Sequence, residues 1–188
     1  MTNAPQSASD EALASRAAGG ERAAFNELIR RYKEPLYRFV RRYVGDGDDA
    51  YDLLQESFIS AWGALQRYDP DRPFSPWLHR IALNKCRDFG RRQTVRRTVL
   101  RLLALVTEDP APLEVARAEE EAEATARLAR LDKAIAALPS RYKEPLLLTA
   151  IEGLSQDEAA AILGTTRKAI EMRLYRARRK LADELGQS

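Results

Sequence analysis

The sequence is poor in the side chains on which catalysis usually rests. His79 is the only histidine and Cys86 the only cysteine. No metal-ligand spacing, glycine-rich phosphate loop or nucleophile elbow occurs, so no catalytic residue, no metal and no cofactor is expected. A lone cysteine cannot close a disulfide within one chain. Together with an amino-terminal stretch, MTNAPQSASDEALASRAAGG, that lacks an apolar core of signal length, this points to a reducing, cytoplasmic setting. No run approaches the roughly 18 apolar residues of a membrane span, so direct membrane insertion is not expected and any membrane link would come through a partner. Alternating apolar and polar residues of the strand type are also missing. That leaves an all-α chain.

What is present is charge on helical patterns. Charged residues make up 31% of the chain, above the usual quarter, while hydrophobics at 45% are ample for a packed core. The net charge of +3 is modest and the isoelectric point of about 9.1 leans basic, which is compatible with a polyanion partner without requiring one. Ser9 is placed to cap a short helix over 10–18 that Gly19 and Gly20 end. A longer helix follows with Phe25, Leu28, Ile29, Tyr32, Leu36, Phe39, Val40 and Tyr43 on one face, and Pro35 is expected to kink or break it. The Asp residues of GDGDDA favour the start of the next helix.

The chain is organised around Asp48–Arg92. Two amphipathic patterns flank a Pro- and Asp-rich turn. The first has Leu53, Leu54, Phe58, Ile59, Trp62 and Leu65 on its apolar side, with Asp52, Gln55 and Glu56 opposite. The second has Trp77, Leu78, Ile81, Ala82 and Phe89, with Arg80, Lys85, Arg87, Arg91 and Arg92 around the rest. After Arg92 the composition shifts: Arg91–Arg101 holds five arginines and no acid, and Glu108–Glu123 holds seven acids and one arginine. Pro110 and Pro112 mark a linker. Val99–Val106 reads as a short helix, with a strand as the weaker alternative, and a further helix is expected to begin between Leu113 and Ala122. Leu128, Leu131, Ile135 and Leu138 then share a helix face that Pro139 stops. A helix over 144–151 carries Pro145 in its first turn. Ser155 and Glu158 form a capping box, Gly164 makes a turn, and Thr165 or Thr166 caps a last helix with Ile170, Leu174, Ala177 and Leu181 inward. Leu154–Arg178 is thus a helix-turn-helix pattern. Its second helix offers Arg167, Lys168, Glu171, Met172, Arg173, Tyr175, Arg176, Arg178 and Arg179 outward, where Arg and Lys suit phosphates and guanine edges.

DLLQESF, PFSPWLHRIALN and the basic run after them resemble region 2 of bacterial sigma-70-type factors, in particular the small extracytoplasmic-function group. GLSQDEAAAILGTTRKAIEMRLYRARRKL resembles region 4 of the same family. The two blocks in this order are far more specific than a lone helix-turn-helix. The resemblance implies two small helical domains, a region 2 bundle and a region 4 helix-turn-helix, joined by a flexible linker. The divisions expected are an arm with a short helix over 1–20, region 2 over 21–92, a linker over 93–124 and region 4 over 125–188. It implies a non-enzymatic transcription initiation factor that binds core RNA polymerase and promoter DNA.

By the same resemblance, Asp52, Gln55 and Glu56 would meet the clamp helices of the polymerase β′ subunit, where an acid-amide cluster suits an arginine-rich helix. A plain solvated helix face is the alternative. Arg80, Lys85, Arg87 and Arg91 would hold phosphates at the minus-10 element. Asn84 and the loop before Phe74 would line a pocket for a flipped base, although Asn84 also fits a merely local bond. Trp77 is read as a core anchor and His79 as structural. Arg167, Lys168, Glu171, Met172, Arg173, Tyr175 and Arg176 would face the minus-35 element, with region 4 also meeting the β flap. Family members often carry a small or basic residue where this chain has Glu171 and Met172, which implies a shifted minus-35 preference. The acidic linker reads equally as an RNA mimic or a tether. An anti-sigma factor covering the polymerase-binding surfaces is the further partner implied. Two rival readings stand beside this one: a conventional helix-turn-helix regulator independent of polymerase, and a helical adaptor that meets only proteins.

Overall fold

A computed structural model describes residues 8–104 and 121–186, and every regular element among them is helical. Helix α1 spans Asp10–Ala18, α2 Arg22–Val44, α3 Gly47–Ala64 and α4 Phe74–Ala104, with a single 3₁₀ turn at Leu65–Arg67 between α3 and α4. In the second half, α5 spans Glu121–Ala137, α6 Ser140–Leu146, α7 Gln156–Leu163 and α8 Arg167–Gly186, with a π-helical turn at Leu147–Ile151 after α6. Residues 105–120 lie outside the described residues, and with them all but the last three residues of the acidic segment 108–123 that reads as RNA mimic or tether; those three open α5.

The helix ends follow their capping chemistry. The Ser9 hydroxyl accepts from the Ala12 amide at the start of α1. Asp46 accepts from the amides of Asp48 and Asp49 at the start of α3. Ser155 and Glu158 form the reciprocal box of α7. Of the two threonines before α8, Thr166 is the cap: its hydroxyl accepts from the Ala169 amide at 3.2 Å. Gly164 ends α7 at φ +62°, a left-handed conformation that costs glycine nothing, and so sets the tight turn into α8.

Two expectations about proline are corrected. Helix α2 runs unbroken through Pro35, because Leu28, Leu36, Phe39 and Val40 on either side of it are fully buried and hold the helix where one backbone hydrogen bond is missing. The next case concerns Pro145. The helix begins at Ser140, not at residue 144, so Pro145 falls past the first turn. The Arg141 carbonyl therefore has no proline N–H to receive. The following turn widens to the π spacing, in which the Glu152 amide donates to the Leu147 carbonyl at 3.1 Å.

Helices α2, α3 and α4 pack on one another, with α1 laid across α2 and the start of α4. Helices α6, α7 and α8 form the second group, which α5 joins through α8. The two groups also meet: α5 and the π turn pack on α2, and α7 packs on α4. Buried residues from both halves form one continuous hydrophobic cluster, from Leu13 through Phe39 and Leu78 to Leu147 and Leu181. Ile170, Leu174, Ala177 and Leu181 all face inward as their spacing requires, while Leu128, expected on the buried face of α5, is 60% exposed.

Cys86 lies in this core with no exposed surface, and burial pushes its thiol up to about 12. It should therefore be inert to a disulfide reagent in the folded protein and react only at the rate of unfolding. Rapid labelling under native conditions would contradict this placement.

Candidate functional site

Three exposed faces and one internal seam hold the polar residues singled out above. The first face is on α3. Asp52 and Gln55 are exposed and Glu56 is half-buried, its carboxylate 3.6 Å from the Lys85 ammonium of α4. One turn on from Gln55 is Ile59, which the periodicity assigns to the core but which is 71% exposed. Trp62, also expected inside, is 39% exposed and packs its ring against Phe25 at 5.0 Å. Phe25, Ile29, Phe58, Ile59 and Trp62 line a shallow apolar groove beside the acid-amide cluster. The first face thus joins acid, amide and apolar groups. Helical spacing did hold a hint: Ile59 follows Gln55 by four residues.

The second face is on α4. Arg80, Asn84, Arg87 and Arg91 recur at spacings of four, three and four, so they fall on one stripe of the helix. Arg80, Asn84 and Arg91 are exposed, and Arg91 pairs with Asp88 of its own helix. Lys85 stands off this stripe, toward Glu56 on α3. Arg87 is half-buried and faces the second half of the chain. At the base of the stripe, Trp77 packs on Tyr68 and Phe74 with ring centres 5.1 and 5.4 Å away, which makes it an anchor for the turn before α4. The Phe74 amide that opens α4 donates to Glu11 Oε1 of α1 at 3.2 Å.

The third face is the outer side of α8. Arg167, Lys168, Glu171, Met172, Tyr175, Arg176, Arg178 and Arg179 are exposed and Arg173 is half-buried. Arg167 reaches Asp157 of α7 at 3.3 Å, a pair exposed on both sides and of little energetic weight. A helix carrying these cations beside a tight glycine turn can lie in a major groove and hold phosphates on its flanks.

The seam between the halves was not foreseen. His79 Nδ1 donates to the Ser75 carbonyl at 2.8 Å, which turns Nε2 toward Glu152 Oε2, 2.9 Å away. These two side chains are 2% and 5% exposed. His79 is thus structural, as read, yet its partner comes from the other half of the chain. Arg87 forks Glu144 through Nε at 2.9 Å and Nη2 at 2.6 Å. The Tyr43 hydroxyl, pushed up to about 12 mainly by burial, donates to the same carboxylate. Arg42 meets Asp132 at 2.9 Å. Lys143, whose ammonium burial lowers from its ordinary value, donates to the Tyr43 carbonyl at 3.0 Å and to that of Ala136, and lies over the Tyr43 ring. No cluster of three or more metal-ligating side chains occurs among the described residues. No helix among them is long and apolar enough to cross a membrane.

Comparison with known proteins agrees with this arrangement. The family model for Sigma-70 region 2 matches residues 28–110 and that for Sigma-70 region 4 matches residues 128–181. RNA polymerase sigma factor CnrH of Cupriavidus metallidurans is 40% identical over 182 residues, covering 92% of each chain. The ECF RNA polymerase sigma-E factor of Escherichia coli is 30% identical over 180 residues, covering 94% of each. Among solved structures, that of CnrH in complex with the cytosolic domain of CnrY superposes with a TM-score of 0.73 at 37% identity, covering 95% of this chain and 98% of that one. The structure of sigma factor RpoE with the anti-sigma factor NepR from Bartonella quintana shares the fold at 23% identity, with a TM-score of 0.65 over 86% of this chain and 96% of that one.

Proposed function

The chain belongs to the sigma-70 family of RNA polymerase sigma factors, in its extracytoplasmic-function group, and from that premise we propose how its faces divide the work of transcription initiation. The α3 face, with Asp52, Gln55 and Glu56, binds the β′ clamp helices of core polymerase, and the exposed Ile59 beside them supplies the apolar part of that contact. The α4 stripe, with Arg80, Asn84, Arg87 and Arg91, and with Lys85 beside it, holds and melts the minus-10 element. The outer side of α8, with Arg167, Lys168, Glu171, Met172, Arg173, Tyr175 and Arg176, reads the minus-35 element, and the same half meets the β flap. The functional units are taken to be 21–92 and 125–188, with the short helix over 10–18 as a brace for the first. Melting of this kind draws on binding energy alone, so no side chain acts as a catalyst.

The observation that carries this reading is that one chain exposes two faces of opposite chemistry. An acid-amide and apolar face on α3 suits a basic protein helix, and a cationic face on α8 suits DNA. A conventional regulator would have no use for the first, and a protein-only adaptor none for the second. Run-off transcription with purified core polymerase on a pool of promoter fragments tests it. Specific starts should appear only when polymerase and this protein are both present, and alignment of the starts should give both promoter elements. Sequence-specific duplex binding by the protein without any polymerase-dependent start would instead identify a conventional regulator.

Glu171 sets the chemistry of the minus-35 reading apart. A carboxylate repels phosphate but accepts from cytosine N4. Glu171→Ala should relax the preference at a single base position in a promoter library, by roughly 1–3 kcal/mol of discrimination. An unchanged base preference would remove Glu171 from the readout.

An inhibitory partner completes the reading. The relative CnrH was solved with the cytosolic domain of CnrY bound, which supports an anti-sigma factor that covers polymerase-binding surfaces here too. Purification of the chain from uninduced cells should bring such a protein with it, and recovery of the chain free of any partner would count against one.

A further inference from the structure

The start of α4 is held from outside its own helix. The first amides of a helix have no partner within it. At α4 the Phe74 amide is met by Glu11 Oε1 of α1, 63 residues earlier in the chain, at 3.2 Å. A carboxylate at this place also suits the positive end of the helix dipole. The loop 69–73 that leads into α4 is exposed throughout, yet closed on itself. The Asp69 carbonyl accepts from the Arg72 amide, and the Asp69 carboxylate from the Asp71 amide, each at 3.1 Å. The Tyr68 hydroxyl donates to the Arg72 carbonyl. Phe74, buried at the end of the loop, packs on the rings of Tyr32, Tyr68 and Trp77 with centres 5.5, 5.6 and 5.4 Å away. Helix α1 packs on both stems of this loop, the 3₁₀ turn before it and the start of α4 after it. It is itself fastened to α2, where Asp10 meets Arg31 and the Tyr32 hydroxyl, each at 2.5 Å.

We propose that α1 sets the geometry of the minus-10 loop, and that Glu11 is the positioning residue, acting through the Phe74 amide and not on DNA. The proposal rests on the reading of α4 and this loop as the minus-10 face. Capture of a flipped base draws on a pocket already in place, since ordering left to the moment of binding subtracts from affinity. The loop's own bonds fix its shape but not its place on the molecule. The aromatic floor under it is apolar and only weakly directional. A charged hydrogen bond to the first amide is directional: it sets where α4 begins, and so where the loop stands relative to Asn84, about three turns along the helix. Two adjacent acids thus divide the work, Asp10 tying α1 to α2 and Glu11 tying the start of α4 to α1.

Run-off transcription by the holoenzyme tests this with the full-length protein. The templates are a promoter drawn from the pool above and a library of it randomised across the minus-10 element. Glu11→Ala removes the acceptor, whereas Glu11→Gln removes the charge and keeps an oxygen at the same reach. Glu11→Ala should lower output about three- to tenfold, the scale of one net hydrogen bond, and relax base preference within the minus-10 element. Glu11→Gln should bring both back near the parent. Competition for core polymerase should be the same for all three proteins. Output and preference unchanged in Glu11→Ala would overturn the proposal. So would a loss that is uniform over every minus-10 base, which is the mark of a brace for stability alone. A loss in Glu11→Gln as deep as in Glu11→Ala would overturn it too, since the accepted bond would then not be what counts. If circular dichroism shows Glu11→Ala unfolded, Glu11→Asp, which keeps the charge but falls short of the amide, takes its place and is judged by the same outcomes. Failure of the minus-10 reading looks different: Arg80→Ala and Asn84→Ala then leave output and preference unchanged as well.

Discussion

Replacing Phe39 by alanine is expected to cost about 3–5 kcal/mol of folding stability. Phe39 sits in the carboxy-terminal half of α2 with no exposed surface, and its ring meets His79 edge-on at 5.4 Å. Truncation removes the transfer energy of the ring and leaves a cavity walled by helices that other contacts prevent from collapsing. Against the roughly 5–15 kcal/mol of a typical domain, that loss is a large share of the total. Urea unfolding followed by circular dichroism should show a lower midpoint with an unchanged slope. Ile59→Ala, on the exposed side of α3, should stay within about 0.5 kcal/mol of the parent. A Phe39→Ala loss near 1 kcal/mol would mean that α2 is not the axis of the core.

Gln55→Ala combined with Glu56→Lys should weaken binding to core polymerase at least about thirtyfold and abolish run-off transcription. An anchor at the centre of an interface is worth roughly 2 kcal/mol or more, and the reversed charge faces whatever base had sought the carboxylate. The new lysine would also stand next to Lys85, where Glu56 now pairs at 3.6 Å. Because both positions lie on the outer side of α3, the thermal midpoint should change little and duplex binding through α8 should persist. Competition for core polymerase against the parent protein reads the affinity directly. Full competition by the variant would show that this face is solvated and nothing more.

Much of the fold was legible because helices declare themselves locally. Capping residues at Ser9, Asp46 and Ser155, the left-handed glycine at 164 and the inward stripe of α8 each act within a turn or two, and the chain obeys them. The candidate faces on α3 and α8 were legible for the same reason, since a helix with one apolar side must present the other. Legibility ended where a side chain answers to something remote. Lys143 and Glu144 sit in a stretch, SRYKEP, that reads as the polar start of a helix, yet both are buried because their partners stand about a hundred residues away. Periodicity reports that a face is covered and is silent about by what. Ile59 fails in the opposite sense: it lies on the apolar side of its own helix, but no neighbouring helix reaches over it. The continuity of α2 through Pro35 was hidden for a similar reason, because local chemistry gives the cost of the lost bond and tertiary packing offsets it.

The contact between Glu11 and the Phe74 amide has a consequence for the order in which the chain takes shape. Asp10 meets Arg31 only 21 residues later, so the corner of α1 and α2 can close early in synthesis. Glu11 must wait for a residue 63 positions downstream, several seconds at ordinary ribosomal speed. Until then its carboxylate remains in water and the apolar side of α1 has only α2 and the 3₁₀ turn at Leu65–Arg67 to rest on. The seating of α1 is thus completed only once the start of α4 has been made, and a ribosome halted between the two would hold a chain in which α1 is formed but this contact is still open.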